Sequence, residues 1–150
     1  ALAREKGTHE ISYSVSEGQR MELYAGAAGK VLLAYAPQEI TKKVLSAKSL
    51  KKLTPNTISS TTKLSRQLEE IRSKGYSVSK GERALDVWSV AAPVFDHRGM
   101  TCCAIGTTGP IYRIPEAAQS DFINIVIGKA RELTRHIGGT ESHNKKEDES

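Results

Sequence analysis

The stretch from Trp88 to Thr108 constrains the fold of this chain more than any other. Trp88 to Phe95 and Met100 to Thr108 are two largely apolar runs separated by Asp96-His97-Arg98-Gly99. Runs of this kind around a short loop ending in Gly read as a β-hairpin. With residues 96 to 99 as the loop, Phe95 faces Met100 and the remaining pairs follow. One face carries Trp88 with Thr107, Val90 with Ile105, Ala92 with Cys103 and Val94 with Thr101. The other carries Ser89 with Gly106, Ala91 with Ala104 and Pro93 with Cys102, with Thr108 just beyond. The first face is bulky and mostly apolar, whereas the second is built almost wholly from small residues. Room left by small side chains must be filled by a closely packed backbone or by a ligand. The hydroxyls of Ser89 and Thr108 favour the ligand, because a plain packing surface would carry Ala or Val.

The rest of the chain supplies two further strand-like segments upstream and several helices. His9 to Val15 alternates Ile11, Tyr13 and Val15 with polar residues, as a half-buried strand does. Gly26 to Ala36 reads as a helix opened by Gly26-Ala27-Ala28-Gly29-Lys30, and Pro37 suits the first turn of a second helix that buries Ile40 and Val44. Thr54-Pro55-Asn56-Thr57 signals a turn. Helical spacing resumes at Leu64, Leu68 and Ile71, capped by Ser60 or Thr61 and closed by Gly75. Tyr76 to Ser79 reads as a short strand. Pro115 opens a final helix with Phe122, Val126, Leu133 and Ile137 on one face, closed by Gly138-Gly139. Residues 140 to 150 contain no apolar side chain, so 139–150 is expected to be a disordered acidic tail.

The Gly26 to Lys30 segment is not a nucleotide-binding loop. That loop needs four residues between its glycines and Ser or Thr after the Lys, whereas here two intervene and Val31 follows. A helix start with small residues still exposes backbone N–H groups and a partial positive charge, which suits a carboxylate. Together with the small-residue sheet face it points to a pocket for a small organic anion. The alternative is an ordinary helix start lying tight on the sheet.

Charge, cysteines and length exclude several classes. The 150 residues carry a net +5, 38% apolar and 5% aromatic residues, which fits one soluble domain. Residues 40 to 80 hold ten basic against two acidic residues and supply the whole excess. Two solvated helix faces explain this segment more simply than a phosphate patch, and no aromatic side chain interleaves with its cations before Tyr76, which argues against a stacking groove for single strands. Cys102 and Cys103 are adjacent, a strained arrangement for a disulfide, so both read as free thiols in a reducing, cytoplasmic setting. His9, His97, His136 and His143 stand singly, so neither a metal nor another cofactor is expected. No apolar run approaches the roughly 18 residues of a membrane span. No Gly-x-Ser-x-Gly or paired-carboxylate motif marks a catalytic centre.

In order and spacing, Leu23 to Ala34 (LYAGAAGKVLLA), Thr54-Pro55-Asn56-Thr57, Gly75-Tyr76-Ser77, Ala91 to Asp96 (AAPVFD), Gly99, and Gly109-Pro110 with Arg113 resemble the effector-binding domain of IclR-type bacterial transcriptional regulators. The resemblance runs from about Gly18 to Gly138. It implies an α+β, GAF-like domain with an antiparallel sheet flanked by helices, here residues 1–138 and lacking the first elements of the domain. A chain that starts at Ala1 without Met fits a piece of a longer polypeptide, and the resemblance implies operator DNA contact through an N-terminal winged helix-turn-helix domain. It also implies homodimers or homotetramers, no membrane contact and no enzymatic activity.

Carried over by position, the effector site comprises a backbone-donor pair at Ala27 and Ala28, wall positions at Ser79, Ser89 and Gly106, and a hydroxyl at Thr108. In the keto-acid-binding branch an acid is expected near Ser79, Cys at Ser89 and Ser at Gly106, with Gly where Asp86 stands. These departures make a roomier, less negative pocket and favour a larger organic acid, such as an aromatic one, over glyoxylate or pyruvate. Two other readings stay open. One is a small-molecule enzyme using a pocket Cys or Ser; the other is a pure dimerisation module that binds no metabolite.

Overall fold

The computed structural model describes residues 1–5, 7–8 and 18–140. The expected strand at His9 to Val15 and the tail from 141 onward lie outside the described residues. Three strands form an antiparallel sheet in the order β1 (Ser77–Lys80), β2 (Val87–Phe95), β3 (Thr101–Pro110). Helices α1 (Ala27–Ala34), α2 (Gln38–Leu45) and α3 (Thr61–Lys74) precede the sheet, and α4 (Glu116–His136) follows it after a 3₁₀ turn at Ile111–Arg113.

The hairpin keeps its two faces but not its pairs. Ser89 stands opposite Thr108 and Ala91 opposite Gly106, two residues along from the register expected with a four-residue loop. The cause lies in the loop. Asp96 Oδ1 accepts from the amides of Arg98 (2.8 Å) and Met100 (3.0 Å), and the Asp96 amide donates to the Met100 carbonyl. Met100 is thereby drawn into the turn, Phe95 pairs with Thr101, Val94 pairs with Cys103, and the register breaks between Val94 and Phe95. Because side chains alternate with period two, a slip of two residues leaves each side chain on its face.

Each face is covered by its own core. Trp88, Val90, Ala92 and Val94 pack with Ile114, Val126 and Ala130, so α4 lies on the bulky face. Ala91 shares a core with Ala27, Val31, Leu64, Leu68 and Ile71: α1 lies on the small-residue face, and α3 packs against α1 in the same layer. The helix thus fills much of the room the small residues leave. Close approach is general in this layer: a Cβ at Gly29 would lie 3.0 Å from the Leu23 carbonyl oxygen. Helix α3 has Ser60 as N-cap, its Oγ accepting from the Lys63 amide (3.3 Å), and ends at Gly75 in the left-handed region.

Helix α4 begins after Pro115 as expected, but its inward stripe differs. Val126, Ala130 and Thr134 are buried, whereas Leu133 and Ile137 are exposed. Thr134 stands on the inward stripe with its hydroxyl accepting from the Phe95 amide (3.2 Å) at the end of β2. Gly138 and Gly139 close the helix through bonds to the carbonyls of Arg135 and Thr134, and Thr140 bonds to Asp96. Residues 139 and 140, assigned to the tail by composition, are therefore tied to the hairpin. In α2, Ile40 is exposed and Val44 only half-buried, because α2 packs through its edge on α3 rather than on the sheet.

Candidate functional site

The sheet register brings three of the expected positions into one row. Ser79 pairs with Ser89, and Ser89 pairs with Thr108, so three hydroxyl side chains run side by side across all three strands. The next row is Ser77, Ala91 and Gly106. Alternation puts both rows on the face occupied by α1. Ser79 is buried, Ser89 half-buried, and Gly106 and Thr108 are exposed on β3, an outer strand among the described residues. The row therefore opens toward the β3 edge. Gly106 has a packing reason as well, since a Cβ there would fall on the Val90 carbonyl oxygen and within 3.0 Å of the Ala91 Cβ.

Above the row sits the start of α1. Lys30 Nζ donates to the Val78 carbonyl (3.1 Å), and the Gly26 amide donates to Glu82 Oε2 (2.9 Å). These contacts seat the first turn of α1 over the end of β1 that carries Ser79. Ala27 is buried and Ala28 exposed. Their amides have no intrahelical acceptor, as in any first helical turn.

One expectation needs correction. The helix start is not open at its N-cap, because Glu82 of the same chain already supplies a carboxylate to Gly26 and forms a buried ion pair with Lys30. Lys30 has no exposed side-chain surface. Burial holds its ammonium below the usual lysine value, partly offset by the Glu82 charge. Lys30 thus has its own anion and is not a free cation for a ligand.

The loop bearing Glu82 is held from two sides. Thr54 Oγ1 donates to the Gly81 carbonyl (2.6 Å) and Thr57 Oγ1 to the Glu82 carbonyl (2.7 Å). Gly81 has φ +71°, and a Cβ there would lie 2.6 Å from Asn56 Nδ2, so only Gly fits beneath the Thr54–Thr57 turn. Arg83 reaches the carbonyls of Glu22 (3.3 Å) and Ala25 (3.5 Å) and pairs with the Glu22 carboxylate at 3.5 Å. Sequence reasoning singled out neither Glu82 nor Arg83. A signal existed for Lys30, a lone charge at helical spacing between Ala27, Val31 and Ala34 on an apolar face.

The cysteines lie away from this row. Cys102 is exposed and donates to the Val94 carbonyl (3.4 Å), while Cys103 packs with the α4-side core. Among the described residues no cluster of three or more His, Cys, Asp or Glu could hold a metal ion. Among the described residues, no helix is long and apolar enough to cross a membrane. Two open grooves of about 190 and 390 Å³ run along α3, the first touching Ser77 and the second lined by Thr62, Lys63, Arg66 and Glu70 among others. Neither includes the hydroxyl row.

Among the described residues, a three-stranded antiparallel sheet carries a helical layer on each face, an α+β architecture with polar groups gathered beneath one helix start. The chain belongs to the family of bacterial transcriptional regulators of the IclR type, matching its C-terminal domain over residues 2–135. It is 35% identical over 132 residues to the transcriptional repressor IclR of Escherichia coli, a match covering 88% of this chain and 48% of that protein. The crystal structure of IclR from Thermotoga maritima superposes with a TM-score of 0.79 at 32% identity, over 88% of this chain and 53% of that one. The inducer-binding domain of PobR from Acinetobacter, a double mutant in complex with 3-hydroxybenzoic acid, superposes with a TM-score of 0.70 at 29% identity, over 78% of this chain and 67% of that one. The chain spans about half the length of the curated relatives it matches.

Proposed function

We propose that this effector domain binds a small organic acid, aromatic rather than a short keto acid, across the hydroxyl row. The ligand's ring or chain lies along Ser79, Ser89 and Thr108, with Gly106 bounding it, and its carboxylate meets the amides of Ala27 and Ala28. The observation that carries this reading is the direct register of Ser79, Ser89 and Thr108 beneath the start of α1. Support for the aromatic class comes from the PobR domain that holds 3-hydroxybenzoic acid. With Lys30 neutralised by Glu82, the site offers hydroxyls and amides rather than a bare cation, which suits a monoacid bearing further polar groups.

Occupancy would favour one of two conformations and so bias operator binding by a winged helix-turn-helix domain in the full regulator, a homodimer or homotetramer working in the cytoplasm. The test is thermal unfolding with 3-hydroxybenzoate, pyruvate and glyoxylate. A ligand at 100 times its Kd adds about 2.7 kcal/mol. Stabilisation by 3-hydroxybenzoate that disappears in Ser89→Trp is the expected result. Stabilisation by pyruvate alone would refute the aromatic assignment, and no response to any acid would favour the dimerisation module.

A further inference from the structure

We propose that the face formed by the end of α2, the loop 46–53 and the first turns of α3 holds duplex DNA through its phosphates, without reading sequence. From Ile40 to Leu68 the chain carries seven cationic side chains and no carboxylate. Lys42, Lys43, Lys48, Lys51 and Lys52 are exposed, as are Lys63 and Arg66. Among the described residues, no ion pair engages any of these side chains.

The fold gathers them on one surface. The Leu50 amide donates to the Ser59 carbonyl (3.5 Å), which lays the Lys48–Lys52 segment beside the start of α3. Leu50 is buried and the Lys51 carbonyl accepts from the Tyr24 hydroxyl (3.0 Å), so the segment is anchored with its lysines outward.

Local electrostatics account for only part of this charge. Lys42 and Lys43 stand in the last turn of α2, where the helix dipole favours cations. Lys63 and Arg66 stand toward the positive end of α3, which has no acidic residue in its first turn. Cations there work against the helix they belong to. A surface this predominantly cationic, with Glu39 and Glu70 only at its margins, matches the phosphate backbone of a duplex. The absence of aromatic side chains among these residues disfavours single strands, whose binding relies on stacking.

The experiment uses this 150-residue chain with no acid present, so it stands or falls apart from the effector reading. Fluorescence anisotropy with a labelled random-sequence duplex of about 20 base pairs, over about 20 to 150 mM KCl, should show saturable binding with a steep salt dependence. Replacing Lys48, Lys51, Lys52 and Lys63 together by Gln should lower the magnitude of the log–log salt slope by about 3 to 4, since each phosphate contact contributes about 0.9. The α4 control Lys129→Gln/Arg135→Gln should leave the slope unchanged. No duplex binding at the lowest salt, an unchanged slope in the fourfold variant, or tighter binding to single strands or to phosphatidylserine vesicles would each overturn the proposal.

Discussion

A lysine with no exposed side-chain surface is held at Lys30 by one carboxylate and one carbonyl, and that carboxylate also caps the helix Lys30 belongs to. Taking away one member of a buried pair leaves the other charge desolvated without compensation, at a cost of about 3 to 5 kcal/mol. Glu82→Gln should therefore destabilise by roughly that amount, and the double variant Lys30→Met/Glu82→Gln should recover much of it. Urea unfolding of the three proteins tests this; a Glu82→Gln cost below about 1 kcal/mol would show that the pair does not anchor α1. The adjacent cysteines differ in the opposite sense from their sequence symmetry. Burial first, and the neighbouring Cys102 second, push the Cys103 thiol up to about 11, whereas Cys102 is exposed. At about pH 8, iodoacetamide should modify Cys102 in the folded protein and reach Cys103 only after unfolding, because the thiolate is the reactive species. Equal labelling of both sites by peptide mass spectrometry would contradict that geometry.

At the level of elements, the hairpin shows which features sequence can carry. Its two faces were legible because alternation survives any even slip, whereas its pairs depended on how many residues the loop consumed. That number is set by the Asp96 carboxylate, which gathers the amides of Arg98 and Met100, an arrangement the Asp-His-Arg-Gly string does not announce. The Met100 amide, followed by the amide and guanidinium of Arg98, holds the Asp96 carboxyl below its usual value. Its contribution is present above the ordinary carboxylate range and is lost as pH falls below about 4 through the lowered folded value. Asp96→Asn should flatten the fall in melting temperature over that acid range, and an identical profile would remove Asp96 from the account. The caps of α3 were legible because Ser60 and Gly75 act locally. The inward stripe of α4 was not, because Thr134 answers to the Phe95 amide 39 residues away. The same corner yields a sharper test. A Cβ at Gly139 would fall on the Phe95 carbonyl oxygen, while Gly138 has open space and φ +72°. Gly139→Ala should cost about 1 to 3 kcal/mol by forced displacement of the α4 end. Gly138→Ala should cost about 1 to 2 kcal/mol from its backbone angle alone, and only Gly139→Ala should speed exchange of the Phe95 amide.

Across the whole molecule, β2 is shared by two cores. Trp88 and Val94 point into the α4 layer, and Ala91 into the α1 and α3 layer. The candidate site depends on that shared strand, since Ser89 joins Ser79 on one side to Thr108 on the other. Here the sequence was least informative. The Ser89 and Thr108 pairing needed only the hairpin, but Ser79 joins across the 81–86 loop, whose path is fixed by Thr54, Thr57 and the Lys30–Glu82 pair, contacts spanning 25 to 52 residues. A shared central strand also predicts how the domain unfolds. Trp88 is the chain's only tryptophan and is 1% exposed in the α4 layer, so its fluorescence reports that layer alone. Leu64 is fully buried in the opposite layer, where Leu64→Ala should remove about 2 to 5 kcal/mol. If β2 couples the layers into one cooperative unit, the Trp88 transition of Leu64→Ala should shift by as much as the transition seen by far-ultraviolet circular dichroism. A Trp88 transition that stays at the wild-type midpoint while the helical signal is lost earlier would mean that the layers unfold separately. Ligand occupancy on the α1 side would then have no route through β2 to the α4 layer.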